Sequence, residues 1–154
     1  MNPVNLCNGL TELVETLRSS SMLSRERIEE VLRSVEISFA DVEPFVRFSN
    51  DTYTRNLVYG DEKFQALVLC WMPSQGSPVH GHGISACGMK VISGAATEAS
   101  YHAVTDSSPY CARILTPADV IANGGEYVHK VTNLAAEPLI TLHVYSPPLV
   151  VVAK

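Results

Sequence analysis

From Tyr53 onward the chain is written in short β segments. Runs at 53–59, 64–72, 87–93, 96–102, 110–115, 125–131 and 139–145 are rich in Val, Ile, Tyr and Thr. Gly or Pro breaks them at Gly60, Pro73, Gly76, Gly94, Pro109, Pro117, Gly124, Gly125 and Pro138. Many short strands with a turn signal every roughly 8–15 residues predict a sandwich or small barrel. The first fifty residues follow a helical period instead. Leu10, Leu13, Val14 and Leu17 recur at i, i+3, i+4, i+7. Ser24 is placed to cap a second helix that buries Ile28, Val31, Leu32 and Val35. A short turn or helix over 40–45 is limited by Pro44. The expectation is one mainly β domain over 1–154: a helical part at 1–50 capping a small barrel at 53–148.

Composition supports this and excludes several roles. With 154 residues, 46% apolar and 18% charged, the chain can bury a sizeable core. No apolar run approaches the roughly 20 residues of a spanning helix. The net charge is -5 and Lys and Arg do not cluster, so neither nucleic acid nor an anionic membrane is an expected partner. The first residues lack the basic start and apolar stretch of a signal peptide, and Cys7, Cys70, Cys87 and Cys111 are widely spaced. Both point to a cytoplasmic protein with reduced thiols.

The charge is unevenly placed. Residues 1–64 hold seven bases and eleven acids, residues 65–154 only four and five, and no carboxylate lies between Glu62 and Glu98. All the histidines fall in the charge-poor part. On a strand, His80 and His82 point the same way, the simplest arrangement for offering two imidazoles to a metal. His129, on another strand, can complete the set. Glu126 lies an odd separation from His129 and so on the opposite face, which leaves the two-His-one-carboxylate triad unfilled. Three neutral imidazoles are the expected ligands. An H-x-H pair alone is more often hydrogen-bonded structure than a metal site, and His102 in its turn region reads that way.

Strand parity marks a polar interior. Along 140–145, Ile140, Leu142 and Val144 share one face, and Thr141, His143 and Tyr145 the other. The polar face suits a barrel lumen holding a polar ligand. Tyr53 and Arg55 share a face in the same manner.

These residues together resemble the cupin superfamily. Its first motif, G-x5-H-x-H-x3-4-E-x6-G, appears as Ser74-x5-His80-x-His82-x4-Cys87-x6-Gly94, and the end of the second as His129-x3-Asn133. Cys in place of the ligand Glu is the mark of the thiol dioxygenases. With Tyr53 to Val58, Cys70-Trp71, Ser77 to His82 and Leu142 to Pro148, the chain resembles the cysteine dioxygenase family over about two thirds of its length. That resemblance implies a jelly-roll cupin barrel and Fe(II) held by His80, His82 and His129. It implies oxidation of L-cysteine by O2 to cysteine sulfinic acid, with both oxygen atoms incorporated. By the same token Arg55 binds the substrate carboxylate beside Tyr53. Cys87 and Tyr145 match a pair that forms a thioether cross-link, and His143 and Thr141 match a network behind that tyrosine, with Trp71 nearby. Gly81 stands where many relatives carry Asp, and Ala86 where animal enzymes carry His.

Two other readings use the same residues. One is a sibling thiol dioxygenase or tailoring oxygenase acting on another thiol or cysteine derivative. The other is a non-catalytic metal-binding cupin that senses a small ligand. Residue by residue, Arg55 also suits a buried ion pair, Cys87 an inert core thiol, and Tyr145 and Trp71 ordinary packing.

Overall fold

The computed structural model describes residues 8–149, so Cys7 and the last five residues lie outside it. Both helices form where the periodicity places them. Helix α1 (Asn8–Ser19) buries Leu10, Leu13, Val14 and Leu17. Helix α2 (Arg25–Ser34) is capped by the Ser24 hydroxyl, which accepts from the Arg27 N–H, and it buries Ile28, Val31 and Leu32. Each such side chain contributes about 1.5–3 kcal/mol of burial. A one-turn helix α3 (Phe39–Val42) opens on a Ser38/Asp41 capping box and runs into a 3-10 turn at Glu43–Phe45, with Pro44 in its first positions.

Eight strands follow: β1 (Thr54–Gly60), β2 (Gln65–Trp71), β3 (Ala86–Ser93), β4 (Ala96–Tyr101), β5 (Cys111–Leu115), β6 (Val120–Asn123), β7 (Val128–Thr132) and β8 (Leu139–Ser146). They pair antiparallel in two sheets, ordered β1-β2-β8-β3-β6 and β5-β4-β7. The β-rich expectation holds, with two differences. Strand β6 has no counterpart among the predicted segments: four residues between the Thr116–Asp119 turn and Gly124 are too short to show as a run. The strand expected over 125–131 starts only at Val128, because the backbone turns from Gly124 to Tyr127. The barrel is a pair of facing sheets, not a closed ring.

The five-stranded sheet separates two cores by parity. Ile140, Leu142 and Val144 of β8 pack with both helices, while Tyr145 packs with Leu69, Trp71, Met89 and Val131 between the sheets. Strand β3 divides the same way, with Cys87, Met89 and Val91 between the sheets and Lys90 beneath the helices. Buried Lys90 donates to the carbonyls of Leu32 (2.8 Å) and Val35 (2.7 Å), filling acceptors that the end of α2 leaves open. Among the described residues no helix is long and apolar enough to cross a membrane.

Ser74 keeps the backbone of the glycine it replaces. Its φ is 76°, in the left-handed region, as is Gly94 at 89° at the other end of the motif. An L-residue there costs roughly 1–2 kcal/mol, partly offset by the extra chain entropy of glycine. Ser74→Gly is therefore expected to stabilise the protein by about 0.5–1 kcal/mol, read as a higher urea midpoint at unchanged slope.

Candidate metal centre and active site

His80 and His82 lie on the stretch between β2 and β3, not on a regular strand. Two isolated bridges join that stretch to β7, Gly76 with Thr132 and His80 with His129; in the second, His80 N–H donates to His129 O and His129 N–H to His80 O, both at 2.9 Å. One residue on, His82 N–H donates to Gly125 O at 2.9 Å. The backbone is extended enough for both side chains to turn to one side, so the parity expectation survives while the regular strand does not. Pro78 and the turn at 83–84 interrupt the ladder on either side.

The three rings form a near-equilateral triangle. Centroids are 5.0 Å apart for His80–His82, 4.9 Å for His80–His129 and 5.1 Å for His82–His129. One nitrogen from each lies within 4.8 Å of the others. Two tautomers follow from the partners. His80 Nδ1 lies 2.8 Å from Pro78 O, and His129 Nδ1 lies 2.8 Å from Glu98 Oε2. A carbonyl and a carboxylate only accept, so both Nδ1 atoms carry hydrogen, and in the neutral ring that leaves Nε2 as the ligand atom. The buried His82 Nδ1 has no hydrogen-bond partner. Two such Nε2 atoms and an orphaned buried nitrogen in one triangle fit a divalent metal taking imidazoles on one face.

Protonation favours the same use. Burial first, then the neighbouring His129 and His80 and the Arg55 charge, push His82 down to about 3. Burial lowers His80 as well, and holds His143 well below the ordinary imidazole range. A metal arriving at neutral pH thus displaces no proton from His80 or His82. In the metal-free protein the unfolded chain takes up protons from pH 6.5 downward while folded His82 and His143 resist. Their stabilising contribution is full above that pH and is lost as the pH falls, for His82 through the window from 6.5 to about 3. Each histidine so held costs about 1.4 kcal/mol per pH unit in its window. Urea midpoints of metal-free protein are expected to hold above pH 6.5 and to fall steadily from there to pH 5, and a flat profile would contradict this.

Behind the triangle runs a hydrogen-bonded chain on β8. Trp71 Nε1–H donates to Thr141 Oγ1 at 3.0 Å, Thr141 Oγ1 lies 2.7 Å from His143 Nε2, and His143 Nδ1 lies 3.2 Å from the Tyr145 hydroxyl. Trp71 can only donate, so Thr141 accepts from it, and the His143 tautomer sets the rest of the direction. In the tautomer with its hydrogen on Nδ1, His143 accepts from Thr141 at Nε2 and donates to the Tyr145 oxygen. The Tyr145 hydrogen is left free for the cavity. Burial, then the neighbouring Cys87, raises Tyr145 above the ordinary phenol range, and burial pushes the Cys87 thiol up to about 12, so both stay protonated. Cys87 and Tyr145 are direct cross-strand partners in the β3–β8 ladder.

One cavity is lined by Tyr53, Arg55, Trp71, His80, His82, His129, His143 and Tyr145. Tyr53 stacks on Trp71 with ring centroids 4.3 Å apart. Arg55 lies at the exposed rim, its guanidinium carbon 5.7 Å from the Tyr145 ring centre, and it forms no ion pair among the described residues. The alternative of a buried ion pair therefore does not hold for Arg55. His102 stays on the surface, stacked on Tyr110, and Glu126 is exposed away from the triangle. Asn133 of the motif is a strut, donating to the Trp71 and Glu137 carbonyls.

Two residues of the site had no role in the sequence reading. Glu98 faces inward on β4, fully buried, between Ala96 and Ser100. Burial alone would raise its carboxyl, but hydrogen bonds from His129 and Arg113 outweigh that and hold it below the usual range. A carboxylate between two small residues at inward parity was the available signal. The other is Gly125, where a side-chain carbon would stand 1.8 Å from Gly83 O. The Gly124-Gly125 pair shortly before His129 was its signal.

Comparison with known proteins agrees with the geometry. The model of the family "Cysteine dioxygenase type I" matches residues 2–154. Cysteine dioxygenase type 1 from Danio rerio is 30% identical over 150 residues, 90% of this chain and 75% of that protein. The Homo sapiens protein of the same name is 28% identical over 146 residues, 90% and 73%. In structure, a conserved protein with a double-stranded β-helix domain from Klebsiella pneumoniae superposes with TM-score 0.61 at 25% identity, over 69% of this chain and 86% of that one. An RmlC-like cupin protein from Desulfovibrio desulfuricans gives TM-score 0.56 at 22% identity, over 68% and 91%. The jelly-roll cupin fold and the three-histidine site thus go with a metal cofactor, and the chain belongs to the cysteine dioxygenase type I family.

Proposed function

We propose that this protein is an Fe(II)-dependent dioxygenase converting L-cysteine and O2 to cysteine sulfinic acid. The observation that carries the reading is an unpaired Arg55 and three metal-ready imidazoles in one cavity, with Tyr145 between them. At pH 7 His80, His82 and His143, Cys87 and Tyr145 are all neutral, and Arg55 brings a positive charge to the cavity. A substrate carrying both carboxylate and thiolate suits that charge together with a divalent ion.

Iron bound by His80, His82 and His129 would hold the thiolate and activate O2, and three protein ligands leave positions for both. The chain's own residues do the rest. Arg55 offers a planar fork to the carboxylate and fixes the amino acid's orientation. Tyr53, stacked on Trp71, walls the carboxylate end. Tyr145 presents its hydrogen to the reacting face, and His143, fixed by Thr141 and Trp71, stops the phenol from turning away. Cys87, lying where a fourth ligand would stand in the motif, keeps a protonated thiol, so iron would be held by the three imidazoles.

The cross-link between Cys87 and Tyr145 belongs to the same proposal. A carbon–sulfur bond forms, the thiol and ring hydrogens leave, and O2 takes up the two electrons. Protein cycled with Fe(II), cysteine and O2 is expected to lose two hydrogens in intact mass, a loss absent from Cys87→Ser. An unchanged mass in the cycled parent would remove the cross-link from the proposal.

The test of function is anaerobic loading with Fe(II), addition of L-cysteine or analogues, then admission of O2 while oxygen uptake and sulfinate are followed. Uptake with L-cysteine and equimolar sulfinate is expected. Uptake only with another carboxylate-bearing thiol would favour the sibling oxygenase. Iron binding without thiol-dependent uptake would favour the sensor.

A further inference from the structure

Among the described residues, the only carboxylate hydrogen-bonded to a ligand of the histidine triangle is Glu98, and it is divided between two partners. Its Oε2 lies 2.8 Å from His129 Nδ1, and its Oε1 accepts from Arg113 Nε at 2.8 Å. The Glu98 side chain is fully buried, whereas Arg113 is 49% exposed. Strand register explains the arrangement. Arg113 on β5 is the cross-strand partner of Glu98 on β4, and β7, carrying His129, pairs with the other edge of β4. All three side chains lie on the inner face of the three-stranded sheet. At its β5 edge that face is open, so Arg113 reaches both Glu98 and solvent.

We propose that Glu98 and Arg113 are a positioning pair that tunes the metal through His129. The first function is geometric. Glu98 holds the His129 ring with Nδ1–H turned outward and Nε2 turned into the triangle, so the metal meets a ligand already in its binding tautomer. The second is electronic. A full carboxylate charge on Nδ1–H makes the imidazole a stronger donor and favours the higher oxidation state of the metal. Arg113 draws part of that charge to the other oxygen and moderates the donation. The two residues therefore push the metal in opposite directions, although they are bonded to each other. An ion pair that merely stitched β4 to β5 would have no such sign difference.

This rests on the three-histidine metal reading, and the experiment separates the two. Full-length wild type, Glu98→Gln, Arg113→Gln and the double variant are compared without substrate or turnover. Fe(II) affinity is measured anaerobically by chelator competition, and the Fe(III)/Fe(II) midpoint potential by spectroelectrochemistry. Gln preserves the shape of Glu98, and thermal melts confirm that each variant is folded. Glu98→Gln is expected to lose roughly 10–100-fold in Fe(II) affinity and to raise the potential. Arg113→Gln is expected to lower the potential. In the Glu98→Gln background, Arg113→Gln should do nothing further, since Arg113 acts only through the carboxylate. Unchanged affinity in Glu98→Gln, shifts of the same sign in both single variants, or additive shifts in the double variant would each overturn the pair. A Glu98→Gln that does not fold leaves the decision to Arg113→Gln, where an unchanged or raised potential overturns it. Failure of wild type to bind Fe(II) would overturn the metal centre itself, and the pair with it.

Discussion

Arg55→Ala is expected to bind iron as the parent does and to lose about 100-fold in kcat/KM for L-cysteine, the equivalent of a charge-assisted hydrogen-bonded pair. The reason lies in what Arg55 touches. It is no part of the histidine triangle, and with no carboxylate paired to it among the described residues, its truncation strands no buried anion there. Folding and metal content should therefore stay near normal. The loss should appear mainly in KM, because the carboxylate is held alike in the ground state and during reaction. Arg55→Lys separates charge from shape. It restores the cation but not the planar fork, and recovery to full activity would show that a point charge suffices. Loss of iron from Arg55→Ala, or unaltered KM, would overturn its assignment to substrate.

Gly125→Ala is expected to damage the metal centre without altering any ligand. Its added carbon would stand 1.8 Å from Gly83 O and 2.6 Å from Gly83 C, and backbone atoms cannot rotate aside. Gly125 O also receives the hydrogen bond from His82 N–H, so the two stretches must part where they are joined. A displacement near an ångström at His82 is expected to lower turnover by about 100-fold. Overpacking should also cost about 1–3 kcal/mol of stability. Gly124→Ala is the control. There a side-chain carbon finds nothing closer than Glu126 Oε1 at 3.6 Å, so metal content and melting should stay near wild type. If the two variants behave alike, close backbone approach at Gly125 is not what positions His82.

What the sequence disclosed and what it concealed divide along physical lines. Alternation along β8 was legible because a strand sends successive side chains to opposite faces whatever its neighbours are. It correctly separated Ile140, Leu142 and Val144 from Thr141, His143 and Tyr145. The two helices were legible for the same local reason. The common direction of His80 and His82 was legible even though the strand under them was not, since one extended residue between them suffices. Strand β6 was hidden because its identity comes from pairing with β3, not from its four residues. Glu98 was hidden because its partners belong to strands far along the chain, and only the β5-β4-β7 order brings Arg113 and His129 to it. Gly125 was visible as a turn residue, but its contact with Gly83 O depends on how two distant loops meet.

The double use of β8 limits where this enzyme can change. One face of the strand is the floor of the helical core and the other carries Thr141, His143 and Tyr145, with a single residue separating the two roles. An insertion or deletion there would exchange the faces, exposing polar groups to the core and apolar ones to the substrate. Drift in β8 is therefore closed to selection except by swaps within one parity. Strand β1 lies at the sheet edge, with Arg55 and Leu57 exposed and Val58 buried in the helical core. A laboratory search for a new thiol substrate should spread its diversity over Tyr53, Arg55 and the Gly81–Ser85 turn, and hold β8 fixed.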